Sequence, residues 1–393
     1  MLDLSKLARQ MQGISDHLTK EAEAGRRRVE IAKQLMMQAG KRQSVLAEQL
    51  DEQRDRLLFA AAEPIEPLNT KIALDIAPEA HTVLSSDGSQ ISPSHHEIAY
   101  CYLLNISRVV IHYGQSRYPL LDSLPEVIYR PEDLYASRKW GIRTEEWMGY
   151  KRTAAEAVML GELGLDCAKT GEVPMLAMTD GSLIYWFLEQ IPAAARDEIL
   201  IPVLESWNQL RRAKVPVMGY ISASRSGEAL NFLRLQACPF EQPNCMAHCE
   251  DRRNETPCNP FAPLRDVTLW STALSPGERG PLWKSSADIL SCYGEHTVYF
   301  CYVHVGAEVA RVEFPEWVVE DSRLFNSALS LMLAQVQKGF GYPVALAEAH
   351  NQAVVRGVDR TRFFTLLEQQ MIRAGLKNVG TSFKEARKRG SIA

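Results

Sequence analysis

Apolar side chains at the start of the chain recur at alternating steps of three and four. Leu4, Leu7, Met11, Ile14 and Leu18 therefore share one helical stripe, with Arg and Glu on the remaining faces. The pattern predicts an amphipathic helical arm over residues 1–65, packed on its own domain or against a second copy. Gly13, Gly25 and Gly40 each cost a helix about 1 kcal/mol relative to Ala, which argues against one unbroken coiled coil. Two prolines in "AAEPIEPLNT" end the arm.

From about residue 80 the periodicity shortens to that of strands. "HTVLSSDGSQ" reads as a strand. "EIAYCYLLNISRVVIHYG" reads as two more, with "NIS" as the turn between them. "TEEWMGYKRTAAEAVMLGELGLDCAKT" opens on a Thr-x-x-Glu-like cap and carries Ala, Leu and Glu at helical density. "VPMLAMTDGS" returns to strand, a helix begins near Leu183, and "VPVMGYISAS", "HTVYFCYVHVG" and "VARVEFP" are further strands. The alternation predicts an α/β domain over residues 75–360, a mixed sheet flanked by helices. Residues 361–393 form a helical basic tail, in which Arg373, Lys377, Lys384, Arg387, Lys388 and Arg389 stand against Glu385. Such a tail either lies along a phosphate backbone or an acidic partner, or is a solvated end.

Composition changes this picture little. The 393 residues are 46% hydrophobic and 23% charged, as in ordinary globular proteins, and the net charge of −4 gives no overall basic field. Nucleic-acid contact would have to come from local patches. No run approaches the roughly 20 apolar residues of a membrane span, and "MLDLSKLARQMQG" has no signal-peptide pattern, so no membrane partner and a cytoplasmic setting are expected. The eight cysteines are too unevenly spread for a disulfide framework.

The chemistry concentrates at two Asp-Gly-Ser tripeptides, residues 87–89 and 180–182. Each follows a strand pattern, and in α/β sheets sites collect at the carboxyl ends of strands, so Asp87 and Asp180 would converge if their strands are neighbours. One such tripeptide is a common turn; two at strand ends suggest oxygen ligands for a divalent cation. Glu156 and Glu162 on the intervening helix are candidates for a third acid, but their separation of six residues points them to different faces. Pro343 after Tyr342 starts a further helix on which His350 could add a nitrogen ligand, a donor that favours manganese over magnesium. Taken singly, Tyr342 is core packing and His350 an ordinary helix histidine.

The ordered set "DGSQISPS", "YKRTAAEA", "TDGSLIYW", "MGYISASR", "RVEFPEWV" and "GYPVALAEAH", over about residues 80–355, resembles the NurA nucleases. The resemblance implies an RNase H-like core and a manganese-dependent site, with magnesium weaker, built from Asp87, Glu156, Asp180, Tyr342 and His350. Asp87, Glu156, Asp180 and His350 would then be metal ligands for two ions. It further implies a homodimer acting on single-stranded DNA and duplex ends with a HerA-like hexameric ATPase, as a 5′-to-3′ exonuclease and single-strand endonuclease in the resection of double-strand breaks.

Several residues stand outside that core set. Arg152, Arg225 and Arg311 are candidates for phosphate contacts, although Arg311 could equally pair with Glu313 or Glu316. Trp186 could stack on a base but sits at a position expected for core. Cys238, Cys245, Cys249 and Cys258, with His248 among them, form a Cys-rich insertion at about 238–258 that could hold structural zinc or an iron–sulfur cluster, or carry reduced thiols only. Two other functions are compatible with acids at strand ends. One is an actin-like ATPase or kinase, which should show a glycine-rich phosphate loop, and none is evident; the other is a catalytically silent adaptor of a DNA translocase.

Overall fold

A computed structural model describes residues 3–93, 99–171, 173–252 and 256–375. Of the basic tail, Lys377, Lys384, Arg387, Lys388 and Arg389 lie outside the described residues. The chain divides into two compact units: residues 1–74, 221–290 and 297–313 form one, and residues 75–220, 291–296 and 314–393 the other. Among the described residues no helix is long and apolar enough to cross a membrane.

The first unit contains the N-terminal helices Leu4–Gln10, Ile14–Gly40 and Gln43–Gln53. Gly13 marks a real interruption, a 3-10 turn over Met11–Gly13, whereas Gly25 is absorbed inside the long helix. Ala32, Ala39, Leu46 and Leu50 on the arm pack with Phe232, Trp270, Trp283, Phe300 and Tyr302 in one core. The strands Val298–His304 and Val309–Pro315 fall where the sequence pattern places them. Arg311, on the second of these, does not face solvent. Its side chain is 3% exposed, and it reaches Glu228 at 2.6 Å, Glu313 at 2.7 Å and Ser226 at 2.8 Å while lying over the Phe300 ring. A guanidinium buried and ion-paired in this way is not available to a phosphate, so the expected DNA contact at Arg311 is corrected to a structural ion pair with Glu313 and Glu228.

The second unit is built on β1 (His81–Ser85), β2 (Gly88–Ile91), β3 (Tyr102–Tyr113), β4 (Leu120–Ile128), β5 (Met175–Asp180) and β6 (Val217–Ile221). Its helices include α1 (Thr144–Ala168), α2 (Ala193–Arg212), α3 (Ser322–Lys338), α4 (Val344–Ala353) and α5 (Gly357–Arg373). The strand order is β4-β3-β1-β5-β6, with the first three antiparallel and β1, β5 and β6 parallel. This is an RNase H-like mixed sheet flanked by helices. Apolar runs such as Val83-Leu84 and Leu176-Ala177-Met178 are fully buried, as central strands require.

Three local expectations differ from what forms. The "NIS" segment is no turn: β3 runs unbroken through Asn105, Ile106 and Ser107 because each polar side chain has a partner. Asn105 donates to the Ala353 carbonyl, and Ser107 Oγ accepts the Asp87 amide. Near Leu183 only a short 3-10 helix forms, Trp186–Gln190, and the α-helix itself begins at Ala193 after Pro192. Thr144 does not cap α1; its hydroxyl donates to the Leu134 carbonyl instead.

Candidate metal centre

β1 and β5 lie side by side in parallel, with Ser85 opposite Met178. Continuing that register by two places sets Asp87 opposite Asp180. On its other edge the first strand keeps one register against β3 through both β1 and β2, so Asp87 sits at a break in a longer strand rather than at its end. Its backbone is held by Ser107 from both sides: the Asp87 amide donates to Ser107 Oγ at 2.9 Å, and the Ser107 amide donates to the Asp87 carbonyl at 2.8 Å.

The two glycines do different work. Gly181 takes φ 118°, a conformation closed to other residues, and turns the chain sharply after Asp180. Gly88 is needed for space. A Cβ there would stand 2.5 Å from Glu156 Oε1 and 2.7 Å from Arg152 Cγ, so the missing side chain is what lets α1 bring Glu156 against the first Asp-Gly-Ser. Glu162 is exposed and contributes instead to the charge around Arg108, at a different place on the same helix.

Tyr342 and His350 arrive with α4, and that helix is fixed at both ends. At its start the Ala345 amide donates to Gln335 Oε1 of α3; at its end the Ala353 carbonyl accepts from Asn105 and from Ser89 Oγ. The first Asp-Gly-Ser thus supplies an acid, a glycine gap and an anchor in three successive residues. His350 Nδ1 lies 3.1 Å from Asp87 Oδ2, with two thirds of its side chain exposed. The Tyr342 hydroxyl donates to Asp180, and its ring meets Tyr220 edge-on at 5.8 Å.

Asp87, Glu156, Asp180, Tyr342 and His350 are therefore brought together. Burial pushes the Glu156 carboxyl up to about 8, Arg152 opposes that shift, and the Asp87 and Asp180 charges add to it. Asp180 is also raised, by partial desolvation first and by Asp87, while Tyr342 and His350 pull it down. Glu156 Oε1 is buried without a hydrogen bond, and its ion pair to Arg152 Nε is loose at 3.2 Å. An orphaned carboxylate oxygen beside two further acids is a donor set that fits a hard divalent cation. Among the described residues no three His, Cys, Asp or Glu side chains close to the distances of one ion, so a cation here would also need water ligands or a rotamer change.

Of the remaining candidates, Arg152 borders this site and also reaches Gln90 at 3.3 Å, whereas Arg225 is exposed on a loop of the other unit. Trp186 is 40% exposed rather than core. Sequence reading passed over Phe340, between Gly339 and Gly341. It is 99% exposed and held at φ 55°, two residues before Tyr342. Its left-handed backbone closes the C-terminus of α3, with the Gly341 amide donating to the Val336 carbonyl, and leaves the ring bare; the flanking glycines are its only signal in sequence.

In the other unit, Cys238, Cys245, Cys249 and Cys258 line one small cavity together with Pro239, Phe240, Asn244 and Pro257. Cys238 ends the helix Glu228–Ala237, and Cys245 opens a single helical turn that delivers Cys249. His248 turns away and stacks on Phe240 with ring centroids 4.1 Å apart.

The Glu156 shift makes a prediction for the protein in chelator. Its folded-state value near 8 exceeds its ordinary 4.5, so the neutral carboxyl is the form that the fold favours. That contribution is complete below about pH 4.5 and is lost as pH rises through about 8. Thermal unfolding across this window should show a fall in stability on the order of a few kcal/mol at most, flattened in Glu156→Gln. A parallel fall in the variant would assign the effect to other groups.

Comparison with known proteins follows the same geometry. No curated protein has significant sequence similarity to the chain. Among solved structures it is similar to the NurA nuclease from Sulfolobus solfataricus, at 12% identity, covering 96% of this chain and 99% of that one, with a TM-score of 0.53. A structure of NurA bound to dAMP and manganese matches at 11% identity, 96% and 98% coverage and a TM-score of 0.43. A structure of NurA with manganese matches at 10% identity, 84% and 100% coverage and a TM-score of 0.34. The family model of the NurA domain matches residues 81–355, a span that takes in every residue of the acidic centre, and this chain belongs to the NurA domain family.

Proposed function

We propose that the chain is a manganese-dependent deoxyribonuclease, hydrolysing phosphodiester bonds with two cations. In this reading it works in the cytoplasm as a 5′-to-3′ exonuclease and single-strand endonuclease, resecting double-strand breaks beside a HerA-like hexameric ATPase. The observation that carries the reading is the meeting of Asp87, Glu156 and Asp180 with Tyr342 and His350 in a member of the NurA family. The NurA nuclease that shares the fold supports the same reaction class.

Asp87, Glu156, Asp180 and His350 would hold the ions. Divalent cations supply a more acidic bound water and neutralise charge gathering on the phosphate oxygens. Asp87 lies between Asp180 and His350 and suits a bridging role. With His350 Nδ1 facing Asp87, Nε2 is the nitrogen open to a ligand, and an imidazole donor favours manganese over magnesium. Tyr342 orients the Asp180 carboxylate, and Arg152 steadies Glu156 while keeping an exposed portion for a phosphate oxygen. Phe340, two residues before Tyr342, offers an exposed ring for a base to stack on.

The apolar stripe of the arm is the surface assigned to a second copy. Leu4, Met11, Ile14 and Leu18 are 46–69% exposed, and their spacing of three and four is self-complementary between two helices.

End-labelled single- and double-stranded DNA incubated with manganese, magnesium or chelator tests the reaction. Asp87→Asn and Asp180→Asn should each lower cleavage by at least about 1,000-fold with the fold and DNA binding retained. Cleavage by Asp87→Asn near the wild-type rate, or full activity in chelator, would remove the mechanism. Phe340→Ala should raise KM for short single strands by about 5- to 100-fold with kcat nearly unchanged, the size expected for one lost stacking contact. An equal drop in kcat would assign Phe340 to loop structure instead. Deleting residues 1–20 should leave cleavage of short strands intact and convert the dimer to monomer by light scattering. Unchanged mass would show that the stripe packs elsewhere.

A further inference from the structure

One cavity in the larger unit takes no part in phosphodiester hydrolysis. It measures about 400 Å³, within the range of small-molecule sites. Strand register sets its floor: Tyr102 stands opposite Ile128 and Leu104 opposite Glu126, so all four side chains leave one face of the β3-β4 pair. Over them passes α1, with Lys151, Ala154, Ala155 and Val158 on one stripe, and the two alanines leave the space that longer side chains would fill. Arg152 and Glu156 leave the same turns on the neighbouring stripe. Trp147, 2% exposed, closes a wall.

Three carboxylates and one ammonium surround this apolar floor. Glu126, Asp133 and Glu198 are exposed at the rim, and Lys151 pairs loosely with Glu198 at 3.8 Å, so the rim carries net negative charge. Deeper in, Tyr102 is 3% exposed, yet its hydroxyl has no hydrogen-bond partner among the described residues. Burial first, and then the Asp133 and Glu126 charges, push that phenol up to about 12, so it stays neutral and able to accept a hydrogen bond. Glu198 does not act on the hydroxyl. It stands on α2 one turn before Pro202, whose missing amide withdraws the helical donor from the Glu198 carbonyl.

A buried hydroxyl without a partner is costly unless something in the cavity bonds to it. That group must tolerate two carboxylates, which excludes an anion, and must cover Leu104, Ile128 and Val158 with apolar surface, which excludes a bare metal ion. An alkyl ammonium meets both demands. The acids stand at two places, Glu126 with Asp133 and Glu198 apart from them, which suits two ammonium groups joined by methylenes better than the single charge of a lysine or arginine side chain.

We propose that this cavity binds a linear polyamine, with one ammonium between Glu126, Asp133 and the Tyr102 hydroxyl, its methylene chain over Leu104, Ile128 and Val158, and a second ammonium at Glu198. The site shares no residue with the acidic centre, and its occupancy does not depend on the nuclease reading.

Calorimetric titration of the full chain with spermidine, without DNA and at about 0.15 M salt to screen diffuse attraction, should show one saturable site per chain. Butylamine, which keeps the chain but carries a single charge, should bind at least about 10-fold more weakly. Combining Glu126→Gln with Asp133→Asn should weaken spermidine at least about 10-fold, and Tyr102→Phe about 3- to 10-fold. Glu132→Gln removes an equal charge beside Asp133 but outside the cavity, and should leave the affinity unchanged. No saturable binding, unchanged affinity in the double variant, equal weakening by Glu132→Gln, or butylamine as tight as spermidine would each overturn the proposal. So would binding of an arginine-rich peptide with none of spermidine. If the double variant fails to fold, the ratio of spermidine to butylamine affinity on the unaltered chain decides alone.

Discussion

Mutual repulsion among three carboxylates is the constraint around which the larger unit is arranged. Asp87 and Asp180 stand at equal places on neighbouring parallel strands, and Glu156 is pressed against them from α1. Burial first, and then the Asp87 and Asp180 charges, hold Glu156 near 8 despite an arginine one turn away. Acids left to themselves would move apart. The surrounding structure prevents this with backbone devices that carry no charge: the Ser107 bonds to Asp87, the turn at Gly181, and the gap at Gly88.

The same devices couple the acids to the helix that bears His350. Ser89 and Asn105, one residue beyond the gap and one in the adjoining strand, both end on the Ala353 carbonyl, while Gln335 holds the opposite end of α4. A shift of this helix by a single residue would remove His350 from Asp87 and leave Ala353 without its donors at once. Position is therefore fixed by neutral hydrogen bonds, which leave the charges of the site free for chemistry.

Much of this was legible in the sequence because central strands must be apolar on both faces. Val83-Leu84 and Leu176-Ala177-Met178 marked two buried strands, though not their parallel pairing, and the paired Asp-Gly-Ser marked two of the three acids. The choice of Glu156, Tyr342 and His350 rested on resemblance, since helical spacing cannot say which face will meet the strand ends. What was misread depended on distant partners. Asn105 and Ser107 looked like a turn because their hydrogen bonds go to Ala353 and Asp87, far along the chain. The strand Leu120–Ile128 was missed because it is half exposed and contains Pro125, as an edge strand permits.

Arg152 and Arg311 show why residue type alone could not sort site from scaffold. Both are arginines paired with glutamates, and both were candidates for phosphate. Arg311 is enclosed, with two carboxylates at 2.6 and 2.7 Å and a serine hydroxyl at 2.8 Å. Such closeness is what a buried pair must achieve to offset desolvation. Arg152 meets its glutamate at 3.2 Å with both atoms lacking a hydrogen bond, and Glu156 in turn faces two aspartates. Asp87, Glu156 and Asp180 thus bring three carboxyl groups together beside one arginine. A divalent cation is the group whose charge and oxygen preference would let all three ionise side by side, next to an exposed imidazole.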